Sequence, residues 1–292
     1  MTTCPLCGAS FDRAVNLRWR KDGFDIVGCP SCTLVFRADL PTRDELGEIY
    51  ASDYFKAGAD GGGEGYLDYV ADAEVHRLAA RRRLDLLARH VSVGSLLDVG
   101  AAAGFFVAEA QEAGWDARGI DVAESMLAWG RAELAAPLER ATLADVELAP
   151  GSLDALTMWD YIEHSLDPVA DLERTHELLR PDGIVALSTG DAGTFAARVS
   201  GSRWHLLTPH HHNYFFTART LRDLLARAGF TVVELSHPGS RYPLRYLVHK
   251  ARTLASLRAL DALTAKLSAS RFGGLAVPMN LGDIATVVAR RR

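Results

Sequence analysis

Apolar positions along most of this chain follow two periodicities that alternate. Runs rich in Leu, Val, Ile and Ala at 95–99, 117–121, 153–159, 184–189 and 230–235 have the length of buried strands, and 284–289 closes the chain as one more. Between them, residues 105–113, 125–135, 168–179 and 218–228 repeat apolar side chains at the spacing of an amphipathic helix. Strand and helix in turn predict an α/β protein, a doubly wound, mostly parallel sheet with helices on both faces. Such sheets bind ligands beyond the carboxyl ends of their strands.

Upstream the pattern changes. Leu67, Val70, Val75, Leu78, Leu84 and Leu87 predict a long amphipathic helix over 66–90. Residues 57–65, AGADGGGEG, are glycine-dense and acidic and read as a connector or mobile loop. A short helical stretch is expected near 43–50. The expected division is a small module over 1–40, linker and N-terminal helices over 41–93, and the main domain over 94–292.

Composition narrows the class. The 292 residues are 48% hydrophobic and 24% charged, enough apolar material for a real core. A formal net charge of −5 argues against a basic protein that coats nucleic acid. No apolar run reaches the roughly 18 residues of a membrane span. The opening MTTCPLCGAS lacks a basic patch followed by an apolar core, so a cytoplasmic location is expected.

All four cysteines fall in the first module, as the pairs Cys4-Pro-Leu-Cys7 and Cys29-Pro-Ser-Cys32 with 21 residues (8–28) between them. Four soft thiolates at this spacing suit tetrahedral zinc, each pair forming a tight knuckle. A reducing compartment speaks against two disulfides, and duplication of the pair speaks against a redox dithiol. With four cysteine ligands no position is left for water, so the zinc is expected to be structural. Residues 1–50 carry six basic and seven acidic side chains, too balanced for strong phosphate attraction. A structural lid or docking module is therefore the expected role.

The clearest ligand signal follows the first strand of the main domain, where Leu96-Leu97-Asp98-Val99 runs into Gly100-Ala101-Ala102-Ala103-Gly104 and a helix. Small residues let the backbone of such a turn approach a bound nucleoside. Asp121 ends the next strand, 21 positions after Gly100, where a carboxylate can take both hydroxyls of a ribose. A nicotinamide dinucleotide would prefer Gly-x-Gly-x-x-Gly, so this turn suits a nucleoside without a pyrophosphate better.

On these motifs, residues 66–235 resemble the class I S-adenosylmethionine-dependent methyltransferases, in the small-molecule branch that often carries a cysteine ribbon. Residues 96–106 are similar to that family's first motif, Gly119-Ile-Asp121 to its ribose-binding acid, and Ala144-Asp145 to the acid near the adenine amine. Residues 153–164 are similar to the fourth strand with its Glu163-His164 ending, and 178–187 to the turn before the fifth strand. Ala102 departs from the usual middle glycine and Asp182 from the first glycine of the later turn; alanine is small enough for cofactor binding to survive. The resemblance implies a Rossmann-like seven-stranded sheet and S-adenosylmethionine as cofactor. It implies a cofactor site of Asp98, Gly100, Ala102, Gly104, Asp121, Asp145 and Trp159. Trp159 and Asp160 flank the place where the methyl group should sit, and Trp159 serves equally well as core.

Methyl transfer to a hydroxyl needs alignment and one base. Four of the ten histidines crowd into residues 204–214, and His211 and His212, with His164 at the end of the fourth strand, are the candidate bases. Metal binding by consecutive histidines is disfavoured because neighbours in an extended chain face opposite ways. Residues 241–271 hold seven basic side chains, one acid and leucines at helical spacing. This predicts a helical cap near 240–275 that packs a partner copy or meets a membrane surface. The expected activity is transfer of a methyl group to a small or carrier-linked acceptor, a sugar or natural-product hydroxyl being favoured. The alternatives are an RNA-modifying enzyme and a non-catalytic nucleoside-binding protein. Balanced charge and the absence of an Asn/Asp-Pro-Pro-Tyr/Phe motif make nucleic acid an unexpected partner.

Overall fold

The computed structural model describes residues 1–42, 45, 70–245, 247, 248, 266 and 270–292. Two short strands, β1 (Thr2–Thr3) and β2 (Ser10–Phe11), pair beside the first cysteine knuckle. Strands β3 (Leu17–Lys21) and β4 (Phe24–Gly28) form a hairpin whose two-residue turn, Asp22-Gly23, has φ of 51° and 84°. Two left-handed residues match the right-handed twist of the flanking strands, which is why Asp-Gly closes this turn. Strand β5 (Val35–Arg37) completes the meander.

The main domain opens on helix α1 (Ala73–Leu87), entered through a single turn of 3₁₀ helix at Val70–Asp72. The helix predicted over 66–90 is therefore shorter, and residues 66–69 lie outside the described residues. So do the connector at 57–65 and, apart from Glu45, the stretch at 43–50. Strand β6 (Ser95–Val99), helix α2 (Phe105–Glu112), strand β7 (Asp116–Asp121), helix α3 (Glu124–Glu133) and strand β8 (Leu138–Arg140) build one half of a sheet. Strand β9 (Leu153–Trp159), helix α4 (Pro168–Leu178) and strand β10 (Leu179–Gly190) build the other. Asp167 caps α4, accepting from the N–H groups of Val169 and Ala170. Helix α5 (Phe195–Ser200), strand β11 (Tyr214–Phe215), helix α6 (Ala218–Arg227), strands β12 (Phe230–Ser236), β13 (Ser240–Pro243), β14 (Ala276–Met279) and β15 (Ile284–Arg291) follow.

Seven strands form one sheet in the order β12-β15-β10-β9-β6-β7-β8, with β15 antiparallel to both neighbours and the rest parallel. This is the doubly wound, mostly parallel, seven-stranded sheet expected. The chain winds one way from β6 through β8 and the other way from β9, so the crevice beyond the carboxyl ends of β6 and β9 is the topological switch point. Ala155, Leu156, Ile184 and Ala186 in the central strands are wholly buried, as strands covered on both faces must be.

Two expectations change. Strand β8 carries no apolar run of its own, only Leu138, and forms by pairing with β7. The start of the segment predicted as a basic helix is extended: Ser240–Pro243 pairs with Ala276–Met279, and Pro243 biases the residue before it away from helix. Most of the remaining basic segment lies outside the described residues.

The N-terminal module does not hang on a tether. Strand β11, from the histidine-rich segment, pairs with β5, giving a second sheet in the order β11-β5-β4-β3. Cys4, Leu6, Phe11 and Phe36 belong to the same apolar cluster as Leu172, Tyr214, Leu221 and Leu225 of the main domain.

Candidate functional site

At the carboxyl end of β6 the chain turns through Gly100, Ala102 and Gly104, all left-handed, with φ of 77°, 48° and 76°. A Cβ on Gly100 would stand 3.0 Å from the Tyr161 ring, so glycine is required there for space as well as for φ. Ala102 holds a conformation that costs a residue with a side chain roughly 1–2 kcal/mol. The Asp121 carboxylate secures it, accepting from the Ala102 N–H at 2.8 Å and the Ala123 N–H at 2.9 Å. Burial pushes the Asp121 carboxyl up, and those N–H groups pull it back down. Asp145 lies in the turn after β8, where the Thr142 hydroxyl donates to it and the Ala141 N–H bonds the Asp121 carbonyl.

Asp98, two positions before Gly100, is buried and accepts from the Thr157 hydroxyl at 2.6 Å. Burial raises its carboxyl to about 7, against the opposing effects of Thr157 and the Arg83 charge. Trp159, at the end of β9, is 7% exposed and meets Phe106 edge-to-face at 5.5 Å. Arg83 of α1 lies 4.6 Å over the indole system and pairs with Asp160 at 2.9 Å. The Trp159 Nε1 is buried with no hydrogen-bond partner among the described residues. An orphaned donor and a small-residue cradle at one strand crevice fit a bound polar ligand such as a nucleoside.

Across the crevice the histidines assemble. His164 Nδ1 lies 2.9 Å from the His211 carbonyl, and His212 Nδ1 lies 2.9 Å from the Leu206 carbonyl. A carbonyl only accepts, so each Nδ1 carries a proton. The two rings meet edge-to-face at 4.8 Å. Burial holds His164 near 4, so it is neutral at physiological pH. Glu163 beside it is 4% exposed, and burial with the nearby Asp160 charge raises its carboxyl to about 8. Its Oε2 has no partner among the described residues. The ligand atoms of Glu163, His164 and His212 lie within 4.8 Å of one another. They could hold a divalent cation once Glu163 gives up its proton. His211 reaches this group through its backbone carbonyl, and His210 packs against Phe24.

The four cysteine sulfurs also converge within 4.8 Å, with Cys4–Cys32 at 3.5 Å and Cys7–Cys29 at 3.6 Å. Zinc–sulfur bonds of about 2.3 Å at tetrahedral angles put sulfurs roughly 3.8 Å apart, so the cluster fits zinc. Burial pushes the Cys29 thiol up, but the N–H groups of Cys32 and Ser31 and the neighbouring thiols bring it down to about 7. Those N–H groups would equally stabilise a thiolate bound to metal.

Three members of this neighbourhood were not legible as site residues. Arg83 stands in an Arg81-Arg82-Arg83 run whose basic face looks like any solvated helix face, Glu163 carried no sign of its burial, and Arg37 none of its reach across to Pro209. The aromatic run Tyr214-Phe215-Phe216 is a strand signal that, read alone, would have pointed to β11.

The profile of the methyltransferase-domain family matches residues 71–235. A ubiquinone biosynthesis O-methyltransferase of Cereibacter sphaeroides is 28% identical over 180 residues, covering 58% of this chain and 71% of that one. One from Chromobacterium violaceum is 29% identical over 171 residues, covering 54% and 74%. Among solved structures, the Burkholderia thailandensis 1,6-didemethyltoxoflavin-N1-methyltransferase, with its substrate and S-adenosylhomocysteine bound, shares the fold. It has a TM-score of 0.51 and 19% identity, and covers 94% of this chain and 99% of that one. A possible histamine N-methyltransferase of Thermotoga maritima does so with a TM-score of 0.50 and 18% identity over 77% of this chain and 95% of that one. More than half of the sequence thus carries the methyltransferase pattern on the sheet that the pattern requires, and the chain belongs to this family as an S-adenosylmethionine-dependent methyltransferase.

Proposed function

We propose that the enzyme methylates a hydroxyl group of a small molecule, a sugar or natural-product hydroxyl being the preferred class. The observation that carries this is the His164–His212 pair, whose rings meet edge-to-face and whose ligand atoms lie within 4.8 Å of Glu163 just after β9. The O-methyltransferase names of the relatives that match its main domain support the same reading.

In this reading Gly100, Ala102 and Gly104 give the cofactor room against the backbone, and Asp121 takes the ribose hydroxyls. Asp145 meets the adenine edge, and Asp98 anchors the turn from below. The Trp159 Nε1 donor and the indole face bound the methyl position. When bound, S-adenosylmethionine supplies a methyl group on a sulfonium that is its own leaving group. An imidazole of this pair would take the acceptor's hydroxyl proton. His164 is too weakly basic to keep that proton, so it fixes the ring of the half-buried His212, which takes it. His211 contributes the carbonyl that sets the His164 tautomer.

The test uses purified full-length protein with methyl-tritiated S-adenosylmethionine and a panel of acceptors. The panel holds catechol, UDP-glucose, a hydroxyacyl carrier protein, an aromatic amine and total RNA. Label should enter a hydroxyl compound and leave RNA unlabelled. His212→Ala should lower turnover about 100-fold or more while S-adenosylhomocysteine affinity stays intact. Transfer to the amine alone, or full turnover by His212→Ala, would remove the reading.

A further inference from the structure

We infer that the ribbon is a working part of the acceptor side of this enzyme. Its strand β5 and the buried Arg37 side chain hold the histidine segment in the conformation that brings His212 against His164. The inference rests on the functional reading above only for the word acceptor; the coupling itself is a matter of geometry.

Residues 204–213 contain no strand or helix of their own, and short loop-internal bonds such as His212 N–H to the Thr208 carbonyl are what they offer themselves. Their order comes from outside. On the ribbon side, Lys21 Nζ donates to the Leu207 carbonyl at 2.6 Å and Arg37 Nη1 to the Pro209 carbonyl at 3.1 Å. The Arg37 N–H donates to the Asn213 carbonyl at 2.8 Å, and β5 continues the pairing to Tyr214 and Phe215. On the other side, the Asn213 N–H donates to the Glu163 carbonyl at 2.8 Å. Its side-chain amide donates to the carbonyls of His164 and Ser165 at 3.0 and 3.1 Å. The histidine segment is thus a middle layer, bonded to the ribbon on one edge and to the turn after β9 on the other.

Arg37 is the unusual member. A guanidinium that is 9% exposed would ordinarily face a carboxylate, but this one donates to the carbonyls of Asp39 and Pro209 and stacks 4.3 Å over Phe24. Phe24 in turn meets His210 edge-to-face at 5.0 Å. Arg37 is a positioning residue, five positions after Cys32 and directly downstream of the second knuckle. That knuckle closes through the Cys29 N–H to the Leu34 carbonyl and the Thr33 N–H to the Cys29 carbonyl. Metal-held sulfurs fix the knuckle, the knuckle fixes β5, and β5 fixes the histidine segment.

The experiment compares Arg37→Met, Arg37→Lys and a ribbon control, Arg13→Met, in the full-length zinc-loaded protein. Arg13 bonds Asp25 and Asp39, both within the ribbon. Zinc content, S-adenosylhomocysteine affinity, amide exchange by peptide and the imidazole Cε1–H resonances are measured. Arg37→Met should keep one zinc per chain and S-adenosylhomocysteine affinity within twofold. It should speed exchange across 205–213 at least tenfold and displace the His164 and His212 resonances. Arg37→Lys should recover part of both effects, and Arg13→Met should show neither. Unchanged exchange and resonances in Arg37→Met would overturn the inference. So would changes that spread equally to 95–121 with loss of S-adenosylhomocysteine binding, since Arg37 would then be a general stabiliser. None of these readouts needs an acceptor, so they fail independently of the acceptor screen.

Discussion

The two sides of the crevice are built by opposite means. The cofactor side, Asp98 to Asp121, is one strand–turn–helix–strand unit, and its key contacts join residues close in sequence: the Asp121 carboxylate to the Ala102 and Ala123 N–H groups. The histidine side is assembled from three separated pieces, the ribbon, the turn after β9 and residues 204–215, and its contacts span up to 186 positions. The glycine turn forms whenever the same short unit folds, whereas the histidine side depends on the whole molecule being docked. That difference predicts which perturbations stay local.

Breaking the cysteine cluster should have the largest effect. Structural zinc contributes roughly 10–16 kcal/mol to the folding of small zinc modules, so Cys29→Ser with Cys32→Ser should abolish exchange protection over 2–37. Protection over 205–215 should fall with it while S-adenosylhomocysteine still binds. Loss of cofactor binding in the same variant would erase the contrast between the two sides. Next comes Asp121→Ala, which deletes two charge-assisted bonds to the turn. At roughly 1.5–3 kcal/mol for such bonds, affinity for S-adenosylhomocysteine should fall about 30-fold or more by calorimetry, with exchange at 205–215 unchanged.

Smaller effects test the turn itself. Gly100→Ala forces a side chain into left-handed φ and against the Tyr161 ring, and should lower stability by about 1–2 kcal/mol. Ala102→Gly works the other way. Relief of its left-handed strain is offset by the greater chain entropy of glycine, leaving a gain of about 1 kcal/mol or less. Thermal unfolding of the two variants should therefore move in opposite directions, and a shared sign would refute the strain assigned to Ala102.

The buried groups of the histidine side add a pH dependence that the cofactor turn does not share in full. His164 titrates near 4 folded against an ordinary 6.5, so the unfolded chain binds the extra proton between those values. Stability is therefore lost as pH falls from about 6.5 towards 4. Glu163 is raised to about 8 from 4.5, so the folded state keeps a proton that the unfolded state has released. Stability is lost as pH rises from about 4.5 towards 8. Denaturant titrations across this range should show the acid slope flattened in His164→Gln and the alkaline slope flattened in Glu163→Gln. Parallel curves for wild type and both variants would contradict these burial effects.

Much of this was legible in the residues, for a physical reason. Strands 95–99 and 153–159 sit in the middle of a parallel sheet, covered on both faces, so their apolar runs are continuous and announce themselves. The cysteine spacing announces its cluster because a knuckle is local. The glycine turn and Asp121 are likewise joined within one supersecondary unit. Strand β8 escaped because three residues at a sheet edge need only one buried side chain, Leu138. The helical reading at 240–243 failed because leucine spacing further along does not restrain a Tyr-Pro step.

The sequence by itself therefore determined the sheet, the glycine turn and the cysteine cluster, since each follows from side-chain periodicity or from contacts within a few tens of residues. Tertiary structure alone decided that His164 and His212 meet ring to ring, that Glu163 is buried beside them, and that Arg37 of the ribbon reaches Pro209 across 172 positions. No periodicity encodes such meetings. They arise where docking of separate elements leaves polar groups buried and each must find a partner in the neighbouring chain.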